Sequence, residues 1–276
     1  MKQASTITVE QISSKIRKVI FANPPVNLIV PETVLSLHKV VKELSEEEKV
    51  HVVIFSSVVA DFFYNHFDLS KISEFPNEMD TNGNSVWTDL VIQLTNAPFI
   101  SIGIIRGRTR GGGNELSMAF DLRYASLEKA FFGQPEVGGG VIPGGGGTER
   151  MPMLIGRDRA LEVILTSDDF SAALAEQWGL VTRSLPDAEL DGFVKDIAAR
   201  IASFDKTALI AAKKQINKAS LPKDEDLQAA YQGFMESLNF PGFQPRSASF
   251  LKFLTNIGIH DIEKRLGHYI GLASKF

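Results

Sequence analysis

Cysteine is absent from the 276-residue chain, which excludes disulfides and thiolate metal sites and fits a reducing compartment. The opening stretch MKQASTITVEQ lacks the apolar core of a secretory signal. No apolar run approaches the roughly 18 residues of a membrane span. The expected setting is therefore cytoplasmic, with no membrane partner. Positive charge is not in excess either: the net charge is −4 and the pI about 5.8, so no overall basic field draws nucleic acid. Any anionic ligand has to be met by local groups. One more absence matters. The segment from Phe131 to Arg150 holds eight of the 22 glycines, yet its last glycine is followed by Thr148 and Glu149. The Lys-[Ser/Thr] pair of a phosphate-cradling P-loop is missing.

At 44% hydrophobic residues, the chain has the content of an ordinary globular protein, enough for one large domain with an appendage. The first third alternates strand and helix signals. TITVEQI and KVIFAN, around a polar SSK turn, predict a hairpin. Pro31 opens a helix whose Val34, Leu37, Val41 and Leu44 form one apolar stripe. HVVIFSS is apolar almost throughout, as a strand covered on both faces would be. SVWTDLVIQLTN predicts a helix stopped by Pro98, and FISIGII another strand. A short helix from about Asn114 and a strand in DLRYAS follow, and from Thr148 onward the pattern is mostly helical. The fold class is α/β. A boundary is expected near Ser203, giving a core of residues 1–203 and a helical region of 204–276 packed outside it.

Two glycine-rich turns, RGGGNEL and GQPEVGGG, each set one glutamate beside bare backbone, and Glu115 and Glu136 lie 21 positions apart. Two carboxylates brought together could share acid and base duty on one small substrate. Gly111, Gly112 and Gly113 run straight into a helix, so the Gly112 N–H can face outward where an oxyanion would be stabilised. Taken alone, Glu115 could equally be a helix-start acid and Glu136 a solvated loop carboxylate.

GGGNEL, FGQPEVG, IPGGGGTER and AEQWGLV closely resemble, in order and spacing, motifs of the enoyl-CoA hydratase/isomerase (crotonase) superfamily over about residues 5–220. The resemblance implies a spiral of repeated ββα units followed by a C-terminal helical region that assembles trimers, often paired into hexamers. It implies an acyl-CoA thioester substrate, no separate cofactor beyond the coenzyme A the substrate carries, and no metal. It implies an oxyanion hole of two backbone N–H groups, from Gly112 and from Phe67, the residue before the aspartate in DFFYNHFDL. Family hydratases carry a glutamate in both turns, matching Glu115 and Glu136, whereas isomerases often keep only the second. Asn27, Leu28, His66, Asp68, Leu69, Gly111, Pro135 and Gly144 are the substrate-binding positions implied with them, Asn27 and Leu28 on the adenine side. A hydratase is the expected activity; an isomerase or other enolate enzyme on acyl-CoA, and a non-catalytic acyl-CoA binder, are the alternatives.

Two features depart from the family pattern. NHFD replaces its small-residue segment, and a phenylalanine at 67 reshapes the acyl pocket while leaving the N–H available. Arg106, Arg108 and Arg110 form an alternating basic run suited either to CoA phosphates or to pairing at a subunit interface.

Overall fold

The computed structural model describes residues 6–76 and 78–273. The first five residues of the N-terminal stretch and the last three of the C-terminal region lie outside that description. The chain opens with the expected hairpin, β1 (Thr6–Gln11) antiparallel to β2 (Ile16–Ala22). Helix α1 (Pro31–Glu46) starts on its proline and buries Val34, Leu37, Val41 and Leu44. Then come β3 (Val52–Ser57), α2 (Val86–Asn96, capped by the Ser85 hydroxyl) and β4 (Ile100–Ile105). With β6 (Leu122–Ser126) and β9 (Arg183–Leu185), these strands form a six-stranded sheet ordered β1-β2-β3-β4-β6-β9, parallel beyond the first pair.

The all-apolar reading of β3 has its explanation in what covers the sheet. Val53 and Phe55 face one core together with α1 and α2, whereas Val52 and Ile54 face a second core closed by Leu190, Val194, Ala198 and Ala202. Those four residues belong to the helix Asp187–Ser203, designated α7 below. Period-2 alternation then carries no polar face, because neither face meets water.

A second, three-stranded sheet positions the site. It pairs β5 (Arg108–Arg110) in parallel with β7 (Phe131–Gly133), and β7 antiparallel with β8 (Asp169–Ser171). In this register Arg110 lies opposite Gly133, and the Gly111 N–H donates to the Gly133 carbonyl at 3.1 Å. The two glycine turns therefore leave adjacent strand ends. Helix α3 (Gly112–Met118) begins two residues before the expected start. Gly111, at φ +49°, makes the entry turn that lets glycines occupy the first helical positions. Helices α4 (Gly147–Ile155), α5 (Arg157–Thr166), α6 (Ala172–Trp178) and α7 follow. The strands β8 and β9, three residues each, fall in the region that the sequence reads as mostly helical.

The tail forms α8 (Lys206–Ser220), α9 (Asp224–Ser237), α10 (Phe243–Ile257), α11 (Ile259–Lys264) and α12 (Leu266–Ala273). It is not confined to the outside. The buried Lys213 ammonium on α8 donates to the Phe99 carbonyl at 2.9 Å and to Asp121 at 2.8 Å. Helix α9 brings Phe234 against Gly144 and Leu227 against Gly146, and α11 carries the buried Glu263. Of the apolar residues on α10, Phe250, Phe253 and Leu254 pack on Ile262, Leu266 and Tyr269. Leu251 and Ile257 stay exposed.

Candidate active site

Glu115 sits in the first turn of α3 and is buried, with 2% of its surface exposed. Its Oε1 accepts the N–H of Gly145 at 2.8 Å and of Gly147 at 3.0 Å, so the start of α4 cradles the carboxylate. Burial raises its pKa, the two backbone donors and Arg150 oppose the rise, and the value is pushed up to about 7.

Glu136 follows β7. Its Oε1 accepts from Gln134 Nε2 at 3.3 Å, while its buried Oε2 has no partner among the described residues. Burial first, and then the nearby Glu115 charge, hold its pKa well above the carboxylate range. The two acids share a neighbourhood: a Cβ on Gly147 would come within 2.9 Å of both Gln134 Nε2 and Glu115 Oε1. The Gln134 amide accepts from Asn114 Nδ2 at 3.0 Å and donates to Glu136, so it fixes that carboxylate's orientation relative to α3.

The remaining wall is backbone and aromatic rings. Among the described residues, no acceptor lies within hydrogen-bonding reach of the N–H of Phe67 or of Gly112. The Phe67 ring covers the Gly112 α-carbon so closely that a Cβ there would come within 2.3 Å of Cε2. The same ring stacks edge-on against Phe75 at 5.1 Å and Trp87 at 4.8 Å between centroids. Trp87 turns its unpartnered indole N–H toward Gly145, on the side where Glu115 Oε2 also lies. Gly111 has no room for a side chain, since a Cβ would approach Glu136 Oε1 to 2.6 Å.

Two paired carboxylates, two unpaired backbone donors and a glycine floor suit the ionisation of a carbon acid next to a carbonyl. The family model described as enoyl-CoA hydratase/isomerase matches residues 11–241, most of the chain. The chain belongs to the enoyl-CoA hydratase/isomerase family. The short-chain-enoyl-CoA hydratase of Clostridium acetobutylicum is 32% identical over 210 residues, covering 75% of this chain and 78% of that protein. The crotonyl-CoA hydratase of Syntrophomonas wolfei is 32% identical over 206 residues, covering 72% and 77%. A solved structure from Streptomyces avermitilis, provisionally described as an enoyl-CoA hydratase, is 41% identical with a TM-score of 0.90 and covers 98% of both chains. The likeness therefore does not fade at residue 220, as the motifs alone suggested. It continues through the C-terminal helices, whose spacing carries no short motif.

Within this hydratase/isomerase frame the other positions fall in three groups. Asp68 caps a 3-10 helix at Leu69–Glu74, where its Oδ1 accepts from the Ser70 N–H, so Asp68 and Leu69 directly extend the Phe67 segment. Pro135 precedes Glu136, and Gly144 is closed over by Phe234. Asn27, at φ +53°, has its polar groups engaged inside the chain: its amide donates to Ser57 Oγ and the Phe63 carbonyl and its Oδ1 accepts the Asn23 N–H. Asn27 is fully buried, and the neighbouring Leu28 carbonyl accepts from Asn23 Nδ2 at 2.8 Å.

His66 holds the Phe67 carbonyl through Nδ1 at 2.8 Å and Glu263 through Nε2 at 3.0 Å. Arginine 106 pairs with Asp187 and Asp191, and Arg110 is buried against Asp169 and Glu263. Arg108 donates to the Lys264 carbonyl and lies over the Phe131 ring at 5.2 Å. The basic run is thus engaged within the chain. Sequence reasoning missed Gln134, Trp87 and Glu263. Gln134 sits inside a quoted motif, two residues from Glu136 in the strand-to-turn register that would aim both the same way. Trp87 and Glu263 gave no local signal.

Proposed function

We propose that the chain is an enoyl-CoA hydratase acting on short 2-enoyl-CoA thioesters. The observation that carries this reading is the pair Glu115 and Glu136, two buried carboxyl groups in one neighbourhood with unequal hydrogen-bond partners. Glu115 is held by two backbone N–H groups that favour its carboxylate form, against a burial that pushes its pKa up to about 7. Burial, and then the Glu115 charge, push Glu136, which has one oxygen unpartnered, well above the usual carboxylate range and so favour its protonated form. A carboxylate and a carboxylic acid side by side form an acid–base pair.

Glu115 takes a proton from water as the water oxygen bonds to Cβ of the substrate. The π electrons move toward the thioester, and the N–H groups of Phe67 and Gly112 bind the enolate oxygen. Glu136 then gives its proton to Cα, and the thioester carbonyl re-forms. One water has been added, Glu115 has gained a proton and Glu136 has lost one, so a proton passes between them or through solvent before the next turnover.

The narrow aromatic wall of Phe67, Phe75 and Trp87 supports a short acyl chain. No cofactor enters beyond the coenzyme A of the substrate. A homotrimer or a hexamer of paired trimers, in a cytoplasmic setting, belongs to the same proposal. Among the described residues no helix is long and apolar enough to cross a membrane. The test is incubation with crotonyl-CoA, following loss of the enoyl absorbance. Hydration to the 3-hydroxyacyl thioester is expected. Tight binding of crotonyl-CoA without any loss of absorbance would refute the reading.

A further inference from the structure

Glu263 lies on α11, 197 residues beyond His66, and 2% of its side chain is exposed. Its Oε1 accepts from His66 Nε2 at 3.0 Å. Its Oε2 accepts from Asn65 Nδ2 at 2.9 Å and from Arg110 at 3.3 Å. The Glu263 carbonyl also accepts from Arg110, at 2.6 Å, and the far edge of that guanidinium grips Asp169. A buried carboxylate is costly unless every lone pair and charge is answered. Here two cations and two anions answer one another in a closed set.

The partners of this set are the two segments that carry the unpaired donors. Asn65 and His66 lead directly into Phe67, and Arg110 leads directly into Gly111 and Gly112. We infer that Glu263 is a positioning residue that holds the Phe67 and Gly112 segments in register, so that both N–H groups converge on one oxygen. This inference rests on the oxyanion role given to those groups above.

The backbone geometry explains how the hold is transmitted. On one side of the Phe67 segment, the Ile29 N–H donates to the His66 carbonyl at 2.9 Å and the Asp68 N–H donates to the Ile29 carbonyl at 2.9 Å. Because the His66 carbonyl turns toward Ile29, the N–H of the same peptide plane turns the other way, into the site. On the opposite side, His66 Nδ1 donates to the Phe67 carbonyl. Its other nitrogen then meets Glu263, and the base of the side chain lies beside the glycine turn: a Cβ on Gly111 would approach His66 Cβ to 3.1 Å. Burial opposes charge on His66, but the Glu263 carboxylate and the Phe67 carbonyl outweigh it and raise its pKa, while Glu263 is held low by His66 and Arg110 against its own burial. Both shifts favour the charged forms, and with each ring nitrogen facing an oxygen the imidazole is pinned from both sides.

The test compares Glu263→Gln with wild-type protein, with Asp261→Asn on the same helix as a control at an exposed side chain. Two readouts are taken: crotonyl-CoA hydration, and the near-ultraviolet enolate band formed when acetoacetyl-CoA binds. Removing one oxyanion donor costs about 10²–10³ in kcat, so misaligning one should cost roughly 10-fold or more. KM is expected to move by no more than about twofold, because ground-state binding is not what the donors improve. The enolate band should weaken in parallel. His66→Gln, which leaves Glu263 still paired with Arg110, is measured beside it and keeps the test open if Glu263→Gln does not fold. The double variant should be no slower than the slower single one, as for two members of one linkage. Wild-type kcat and a full enolate band in a folded Glu263→Gln or His66→Gln protein would overturn the inference, as would a loss seen only in KM. Wild-type protein that forms the enolate band yet hydrates no enoyl-CoA would instead overturn the hydratase reading, and the band would still decide the role of Glu263.

Discussion

Replacing Glu115 by glutamine should raise stability at alkaline pH while nearly abolishing turnover. Burial lifts the Glu115 pKa from 4.5 to about 7 in the folded protein. A raised acid prefers its neutral form when folded, so its contribution is fully present below about pH 4.5 and is lost as pH rises to about 7. The difference between those values corresponds to about 3 kcal/mol carried against the fold at pH 8. Glutamine is neutral throughout, and its carbonyl can still accept from Gly145 and Gly147. Its amide nitrogen, however, needs an acceptor on the Oε2 side, which offsets part of the gain. The variant should thus be at least as stable as wild type at pH 8, with a flatter stability profile between pH 5 and 8. Since about 1 kcal/mol moves Tm by roughly 2–4 °C in a chain of 150–250 residues, melts at the two pH values resolve the effect. Turnover of crotonyl-CoA should fall by about 10²-fold or more, the scale of a positioned acid–base group. A variant that is less stable at pH 8 by more than about 1 kcal/mol, or that turns over at the wild-type rate, would refute the argument that this carboxylate's functional ionisation is held at the expense of the fold.

Gly112→Ala places a methyl about where the Phe67 ring lies, 2.3 Å from Cε2, so activity should drop and stability fall by about 1–3 kcal/mol of overpacking. The stability cost of Gly112→Ala should shrink in a Phe67→Ala background, as read by thermal melting, and an equal cost in both backgrounds would count against the contact. The rate profile in kcat/KM should fall about tenfold per pH unit below the Glu115 ionisation near 7, and a profile flat down to pH 5 would exclude Glu115 as the base. Leu251 is 54% exposed, Ile257 39% and Ile216 64%, and a trimer or hexamer should cover apolar surface of this kind; a monomeric mass by light scattering at micromolar concentration would contradict it.

By itself the sequence determined what neighbouring residues can settle. The α1 stripe, the fully apolar β3, the start of α1 at Pro31 and the stop of α2 before Pro98 follow from periodicities of 3.6 and 2 and from those prolines, all within a few positions of one another. The glycine turns and their glutamates were legible for the same reason: each motif is a short run whose chemistry depends on its own backbone. Even there the start of α3 was misplaced, because glycines at the first helical positions erase the propensity signal while the turn at Gly111 makes the helix possible. Only the tertiary structure decided the β5–β7 register that sets Arg110 opposite Gly133, and with it the meeting of the two acids. It alone brought Glu263 to His66 and Arg110, covered Gly144 with Phe234, and engaged the arginines that the sequence had left open to phosphates. These are pairings across tens to hundreds of residues, and their energies come from burial and charge neutralisation that exist only once the chain has closed on itself.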